Sequence, residues 1–95
     1  MVESMVTEKF PCPCCGYRTF AEQPNGHYDI CEVCFWEDDP IQFDDPNFEG
    51  GANQVSLRQG QRNFFEFGAC EREMIMNVRQ PTKDEERDEN WKPLE

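Results

Sequence analysis

The sequence has little positive charge, a single histidine and no long apolar run. Of its 95 residues, 9 are lysine or arginine and 20 are aspartate or glutamate, which gives a formal net charge of −11. Proteins that bind nucleic acid neutralise its phosphates with lysine and arginine, so we expect no nucleic-acid partner. No stretch is long and apolar enough to cross a membrane, and the length fits one small domain. We therefore expect a monomer with no membrane partner.

The amino terminus also lacks the apolar segment of a secretory signal. Met1 to Phe10 carries three charged side chains, Glu3, Glu8 and Lys9. This pattern favours a cytoplasmic protein, in which the 6 cysteines stay reduced rather than forming the disulfides common in short secreted chains. We expect residues 1–8 to be flexible.

Four of the cysteines stand in two C-x2-C pairs, Cys12 with Cys15 and Cys31 with Cys34. Each pair lets its two sulfurs converge, and the segment between the pairs is long enough to fold back. Four thiolates then surround one tetrahedral ion, as in a zinc ribbon. The spacing therefore predicts one structural Zn²⁺ bound by these four side chains.

Other interpretations of the cysteines stay open. The same four thiolates could bind iron, as in a rubredoxin-like electron carrier. Cys14 lies either at the tip of a metal-binding turn or acts as a reactive thiol in a redox or metal-handling protein. Cys70 is expected in the core. His27 is a fifth candidate ligand, which four cysteines would make unnecessary.

The two pairs differ in the residue that follows them. In the first, Pro13 presets a turn, the amides of Cys14 and Cys15 can point at the Cys12 sulfur, and Gly16 can take a positive φ. Such a turn is a zinc knuckle. The second pair is followed by Phe35 instead of glycine, so we expect its geometry to be less regular.

A small α+β fold follows from the remaining patterns. Residues 17–20 and 27–30 are predicted to pair as a β-hairpin around the turn signal Pro24-Asn25-Gly26. This zinc-ribbon hairpin, with its two C-x2-C knuckles, would pack against one or two C-terminal helices. We expect one domain over residues 9–81 and a charged, mobile tail over 82–95.

The helices are predicted from apolar periodicity. Ser56 to Phe67 carries Leu57, Phe64 and Phe65 on one face, with Asn53 or Ser56 as N-cap and Gly68 as a stop. We expect that aromatic face in the core. A shorter helix is predicted over 71–78, with Met74, Ile75 and Val78 on one side.

Between Asp29 and Gly50 the chain is acidic, without a basic residue. No histidine, serine or lysine constellation accompanies the pair Asp38 and Asp39, so we expect a protein that is not an enzyme. A solvated face that keeps the protein soluble is the ordinary explanation of such an acidic segment. The acidic residues are interleaved with large apolar ones, which shifts the interpretation toward a recognition surface. We expect this surface to bind a protein partner, for which a basic protein such as a toxin is one candidate. The candidate binding residues are Trp36, Glu37, Asp38, Asp39, Phe43, Asp44 and Asp45.

Longer motifs resemble a known family. These are Phe10 to Tyr17, which contains Cys12-Pro13-Cys14-Cys15, then Ile30 to Asp39, Gly50 to Asn53 and Phe67 to Ala69. Over roughly residues 9–82 the chain looks like a member of the cysteine-rich CPCC family of small, mostly bacterial proteins. The resemblance implies a zinc-ribbon-like domain and no particular activity.

Overall fold

The computed structural model describes residues 9–24 and 26–94. Two strands, β1 (Phe10–Pro11) and β2 (Arg18–Phe20), form an antiparallel hairpin in which Phe10 pairs with Phe20. The helices are α1 (Pro40–Asp44), α2 (Leu57–Phe67) and a 3-10 helix (Arg72–Asn77). The protein is therefore small and α+β, as predicted. The expected flexibility of residues 1–8 lies outside the described residues.

The hairpin differs from the predicted one. The strand at Arg18–Phe20 pairs with Phe10–Pro11, and among the described residues 27–30 form no strand. Tyr28 has a positive φ of 59°, which interrupts an extended run. Ile30 instead forms an isolated bridge with Glu37. Each C-x2-C pair thus forms its own chain reversal. In the predicted turn Pro24-Asn25-Gly26, Asn25 lies outside the described residues, and the described residues 27–30 give β2 no strand to pair with.

The long helix α2 has the predicted ends. The Ser56 hydroxyl accepts a hydrogen bond from the Gln59 amide at 3.0 Å, which makes Ser56 the N-cap. Gly68 ends the helix in a left-handed conformation, and its amide donates to the carbonyl of Phe64. Both signals were local, and both are confirmed.

The buried face of α2 is only partly the predicted aromatic one. Leu57 is buried and Phe64 partly buried, but Phe65 is 53% exposed. Gly60 and Gln61 are buried instead. A Cβ added at Gly60 would lie 3.3 Å from both the Cys14 sulfur and the Trp36 ring. The small residue therefore lets the helix backbone approach the cysteines closely.

The second predicted helix is a 3-10 helix, and its apolar residues are not in the core. Ile75 is 40% exposed and Met76 is 92% exposed. The segment is held instead by Glu71, whose buried carboxylate accepts from the Gln54 amide at 2.9 Å. No helix of the described part is long and apolar enough to span a membrane.

The short helix α1 was not predicted, although Asp39-Pro40 carries its signal. Asp39 is the N-cap, and its carboxylate accepts from the amide of Ile41 at 2.8 Å. Proline at the first helical position has no amide hydrogen that the turn would leave unsatisfied. An acidic N-cap followed by proline therefore begins α1, which at five residues is about one and a half turns long.

The core is built around sulfur. The buried cluster contains all six cysteines together with Phe20, Val33, Trp36 and Leu57.

Residues 82–94, expected to be a mobile tail, lie on the domain in this structure: the Arg18 amide donates to Glu86 O, and Tyr17 forms a bridge with Arg87. The acid Glu85 is 2% exposed. Its partner is Arg79, whose Nη1 lies 2.7 Å from Glu85 Oε1.

Candidate metal centre

The four predicted ligands meet in one cluster. Cys12 Sγ lies 3.6 Å from Cys34 Sγ, and Cys15 Sγ lies 3.8 Å from Cys31 Sγ. All four sulfurs fall within 4.8 Å of one another. A tetrahedron of thiolates at 2.3 Å from a zinc ion has edges of about 3.8 Å. The spacing therefore fits one tetrahedral ion, and it is far longer than a disulfide bond.

The surroundings of the sulfurs call for a cation. All four side chains have 0% exposure, and all are free thiols. Burial raises the pKa of Cys12 and of Cys34. Hydrogen bonds from the other thiols, Cys12 first, lower the pKa of Cys31. Four thiolates that have no exposure and lie within 4.8 Å of one another repel strongly, so they ionise together only if a positive ion compensates their charge.

The first knuckle, Cys12–Tyr17, is closed by two backbone hydrogen bonds. The Gly16 amide donates to Cys12 O at 2.8 Å, and the Cys12 amide donates to Tyr17 O at 2.9 Å. Of the two amides predicted to point at the Cys12 sulfur, that of Cys14 does so at 3.4 Å. Gly16 has a φ of 82°, which a glycine adopts without strain.

The second knuckle, Cys31–Trp36, repeats this geometry, so the expectation of a less regular turn is wrong. The Phe35 amide donates to Cys31 O at 2.7 Å, and the Cys31 amide donates to Trp36 O at 2.9 Å. Phe35 takes the left-handed conformation of Gly16, with a φ of 71°. The Thr19 hydroxyl additionally donates to the Cys31 sulfur at 3.1 Å. Donors of this kind orient a metal ligand and stabilise its negative charge.

The remaining candidates of the sequence lie outside the cluster. His27 is exposed, and its Nε2 lies 3.6 Å from Glu22 Oε1. Cys14 and Cys70 are 0% and 1% exposed, and burial raises the pKa of both thiols. Cys70 is thus in the core, as predicted. Cys14 lies under α2 beside Gly60 and does not reach solvent.

Three members of the predicted acidic surface are interior residues. Trp36, Asp38 and Asp39 have exposures of 0%, 1% and 4%. The Asp38 carboxylate accepts from the amide of Gly26 at 2.9 Å. At Asp39, burial opposes ionisation, but amide donors led by that of Ala52 outweigh it and lower the pKa of the carboxyl. Both aspartates therefore fix loops instead of facing a partner.

The other predicted members lie at the surface on or beside α1. Glu37 is half-buried, Phe43 is 41% exposed, and Asp44 and Asp45 are exposed. We define the α1 surface as the exposed apolar and acidic residues of this region, namely Ile41, Phe43, Asp44, Asp45, Phe48 and Glu49.

Gln42 of α1 is the centre of a buried amide network that no sequence motif indicated. Gln42 is 0% exposed, and its Nε2 lies within 3.1 Å of the carbonyls of Phe48, Asn53 and Val55. Its Oε1 accepts from Asn53 Nδ2 at 2.9 Å. These bonds hold the loop 48–55 against α1 and connect both to the second knuckle, because the Glu37 amide donates to Asn53 Oδ1.

Fold and site together define a small α+β, cysteine-rich protein whose four buried thiols are positioned to bind one metal ion. The chain belongs to the cysteine-rich CPCC family, whose model matches residues 10–85. A comparison with curated proteins found no match.

Proposed function

We propose that this chain is a non-enzymatic zinc protein of the cytoplasm, in which the α1 surface binds a basic protein partner. The observation that carries the proposal is the closed cysteine cluster. Four sulfurs with 0% exposure fill a tetrahedral shell, and such a shell leaves no coordination position for water or substrate. The metal then stabilises the fold, and function belongs to the surface.

Zinc is the ion that this donor set favours in a structural site. The two knuckles face each other like the halves of a zinc ribbon, and thiolates in a tetrahedron suit zinc or iron. A redox role based on a reactive thiol, or a metal-handling role, would need a thiol that reaches solvent. All six cysteines are buried, with exposures of 1% or less, so the structure offers that alternative no support.

The chemistry of the α1 surface supports a basic partner. Ile41, Phe43 and Phe48 are 57%, 41% and 40% exposed and lie among acidic side chains. Aromatic residues are enriched at protein interfaces, and carboxylates around them steer a cationic surface toward contact. The net charge of −11 adds long-range attraction for a basic protein. The sequence between Asp29 and Gly50 has no basic residue. A basic side chain that approaches this region is that of Arg58 in α2, whose Nε donates to Asn47 Oδ1 at 2.8 Å.

Charge reversal tests the α1 surface. In D44K/D45K two exposed carboxylates of the α1 surface become ammonium groups. We expect loss of the basic proteins that the wild-type chain retains from cell extract in about 0.1 M salt. D84K/E89K is the matched control, because it changes the net charge equally at exposed positions of the tail. Circular dichroism checks that both variants keep the fold.

The experiment has three distinct outcomes. Selective loss with D44K/D45K supports the proposal, and Phe43→Ala should then weaken the same interaction. Equal retention by the wild-type chain and both charge variants would contradict it. Equal loss with both charge variants would also contradict it, since the net charge alone would then account for binding.

A further inference from the structure

Residues 86–94, which we call the strap, close over the carbonyl groups of the first knuckle. The Asp88 amide donates to Gly16 O at 2.9 Å. Arg87 Nε donates to Cys15 O at 3.0 Å, and Trp91 Nε1 donates to Pro13 O at 3.1 Å. Three donors of one short segment therefore bind the turn that carries two of the four metal ligands.

The Trp91 ring lies directly on the glycine of that turn. A Cβ added at Gly16 would come within 2.5 Å of two indole carbons of Trp91 and within 3.1 Å of Arg87 Cγ. Gly16 thus serves two purposes: it takes a positive φ, and it leaves space for the indole. The knuckle and the strap are complementary in shape as well as in hydrogen bonding.

In the second knuckle, backbone amides bind the carbonyl groups that correspond to those bound by the strap side chains in the first. Its Cys34 O, which corresponds to Cys15 O, accepts from the Cys70 amide at 2.8 Å. Its Glu32 O, which corresponds to Pro13 O, accepts from the Arg79 amide at 3.1 Å. Backbone amides of the domain cap the second knuckle at the positions where strap side chains cap the first.

The strap is held to the domain by further contacts. The Arg87 guanidinium lies 4.5 Å from the centre of the Tyr17 ring, and Arg18 Nη2 lies 3.4 Å from Asp88 Oδ2. The Leu94 amide donates to Gln61 Oε1 at 2.7 Å, while Gln61 Nε2 donates to Pro13 O at 2.8 Å. The family match ends at residue 85, so the whole strap lies beyond the matched region.

We propose that the strap is a latch that retains the metal ion. The strap donates hydrogen bonds to three carbonyl groups, and the closed turn sets the directions of these groups. A bound ion keeps the turn closed. A segment that binds one form of a site more tightly stabilises that form. Because such coupling is reciprocal, docking of the strap and binding of the ion stabilise each other. The docked strap therefore slows opening of the first knuckle and release of the ion. This inference rests on the metal site of the proposed function and does not depend on a partner.

Zinc release from the full chain tests the latch. The zinc-loaded protein is mixed with excess chromogenic chelator, and the rate of release is measured for the wild-type chain, Trp91→Ala and Lys92→Ala. Trp91→Ala removes the indole and its hydrogen bond, and we expect roughly 10-fold faster release, the scale found when groups that orient metal ligands are removed. Lys92→Ala is the matched control, since that exposed residue adjoins Trp91, and we expect wild-type rates.

A second pair of variants separates the latch from a general loss of stability. Gly16→Ala should speed release in the wild-type chain for two reasons, backbone strain and displacement of Trp91. In the Trp91→Ala background the strain and the longer 3.1 Å contact with Arg87 Cγ remain, whereas the displacement of Trp91 is gone, so the effect of Gly16→Ala should shrink. Trp91→Phe, which keeps an aromatic ring without the N–H donor, should release zinc at an intermediate rate and serves if Trp91→Ala fails to fold. The latch is refuted if the Trp91 variants match Lys92→Ala within about twofold, or if Gly16→Ala acts equally in both backgrounds.

Discussion

The two knuckles have the same backbone and different sequences. Each is closed by a pair of hydrogen bonds of 2.7–2.9 Å, and each places its fifth residue in the left-handed region, Gly16 at a φ of 82° and Phe35 at 71°. Glycine is therefore not what determines this turn. Ligand spacing and turn hydrogen bonds determine it, and a phenylalanine adopts the same conformation where they require it.

The surroundings explain why the residues differ. Phe35 packs against the buried cluster, so an apolar contact offsets a left-handed strain on the order of 1–2 kcal/mol. At Gly16 the Trp91 ring occupies the space that a side chain would need. The fifth residues of the two knuckles are thus constrained differently by the rest of the fold. At Phe35 the residue's own side chain fills the adjacent space, whereas at Gly16 the strap fills it.

Removal of a ligand from either knuckle should have the largest effect. Cys12→Ala and Cys31→Ala each leave three thiolates, and structural zinc in such sites contributes on the order of 10 kcal/mol to folding. We expect both variants to lose the metal and the fold of residues 9–40 to the same degree. Elemental analysis and the dispersion of amide NMR signals measure these losses. A variant that kept one full equivalent of metal would break the equivalence of the knuckles.

Cys14→Ala is the matched control for the ligand variants. Cys14 lies in the first knuckle but outside the cluster of four. We expect it to keep the metal and to lower the free energy of unfolding by only about 1 kcal/mol, through lost packing under α2. Loss of the metal from Cys14→Ala would mean that Cys14 is a metal ligand, which would contradict the assignment of the four ligands.

The pair Arg79 and Glu85 links the second knuckle to the start of the strap. Arg79 bonds Glu32 and Glu85, and its hydrogen bonds lower the pKa of the Glu85 carboxyl to about 2. We expect Glu85→Gln to lower the free energy of unfolding by about 2 kcal/mol at pH 7, as measured by urea denaturation. The exposed neighbour Glu86→Gln is the control.

The same pair predicts a dependence on pH. An unfolded glutamate titrates near pH 4.3, at about its ordinary pKa, and the folded group titrates near 2. The stabilisation is therefore fully present above the unfolded pKa and is lost as the pH falls toward 2. The gap between wild type and Glu85→Gln should be constant from about pH 7 to 5 and narrow below about pH 4. A gap that widened in acid would contradict this assignment.

The smallest effect is expected at Phe35. Phe35→Ala loses the aromatic packing and keeps the strained φ, whereas Phe35→Gly loses the same packing and relieves the strain. We therefore expect the glycine variant to be about 1 kcal/mol more stable than the alanine variant. Thermal unfolding of the zinc-loaded proteins measures the difference. The reverse order would mean that left-handed strain is not significant in the second knuckle.

Local signals predicted much of this molecule. The spacing of Cys12, Cys15, Cys31 and Cys34 predicted the cluster, because thiolates two residues apart in a turn have few other arrangements. The ends of α2 followed from Ser56 and Gly68. Asp39 before proline carries an equally local N-cap signal, and its position in an acidic run led to the wrong expectation of an exposed side chain.

The long-range pairings were not predictable from local pattern. The turn signal at 24–26 favoured a hairpin between the knuckles, whereas the knuckle hydrogen bonds reverse the chain earlier and pair β2 with β1. The charged segment after residue 82 has the composition of a mobile tail. Its docking depends on a few specific donors, Arg87, Asp88 and Trp91, and on carbonyls that exist in the right place only after the first knuckle has folded.

Native mass spectrometry, combined with elemental analysis and a count of reactive thiols, tests the central claim most directly. A buried tetrahedral shell predicts one zinc ion per chain, and no reaction of any of the six thiols with a thiol reagent until the protein is denatured. Disulfides in a metal-free chain, iron in place of zinc, or a reactive Cys14 in the folded, loaded protein would contradict the account and assign the function to the cysteines themselves.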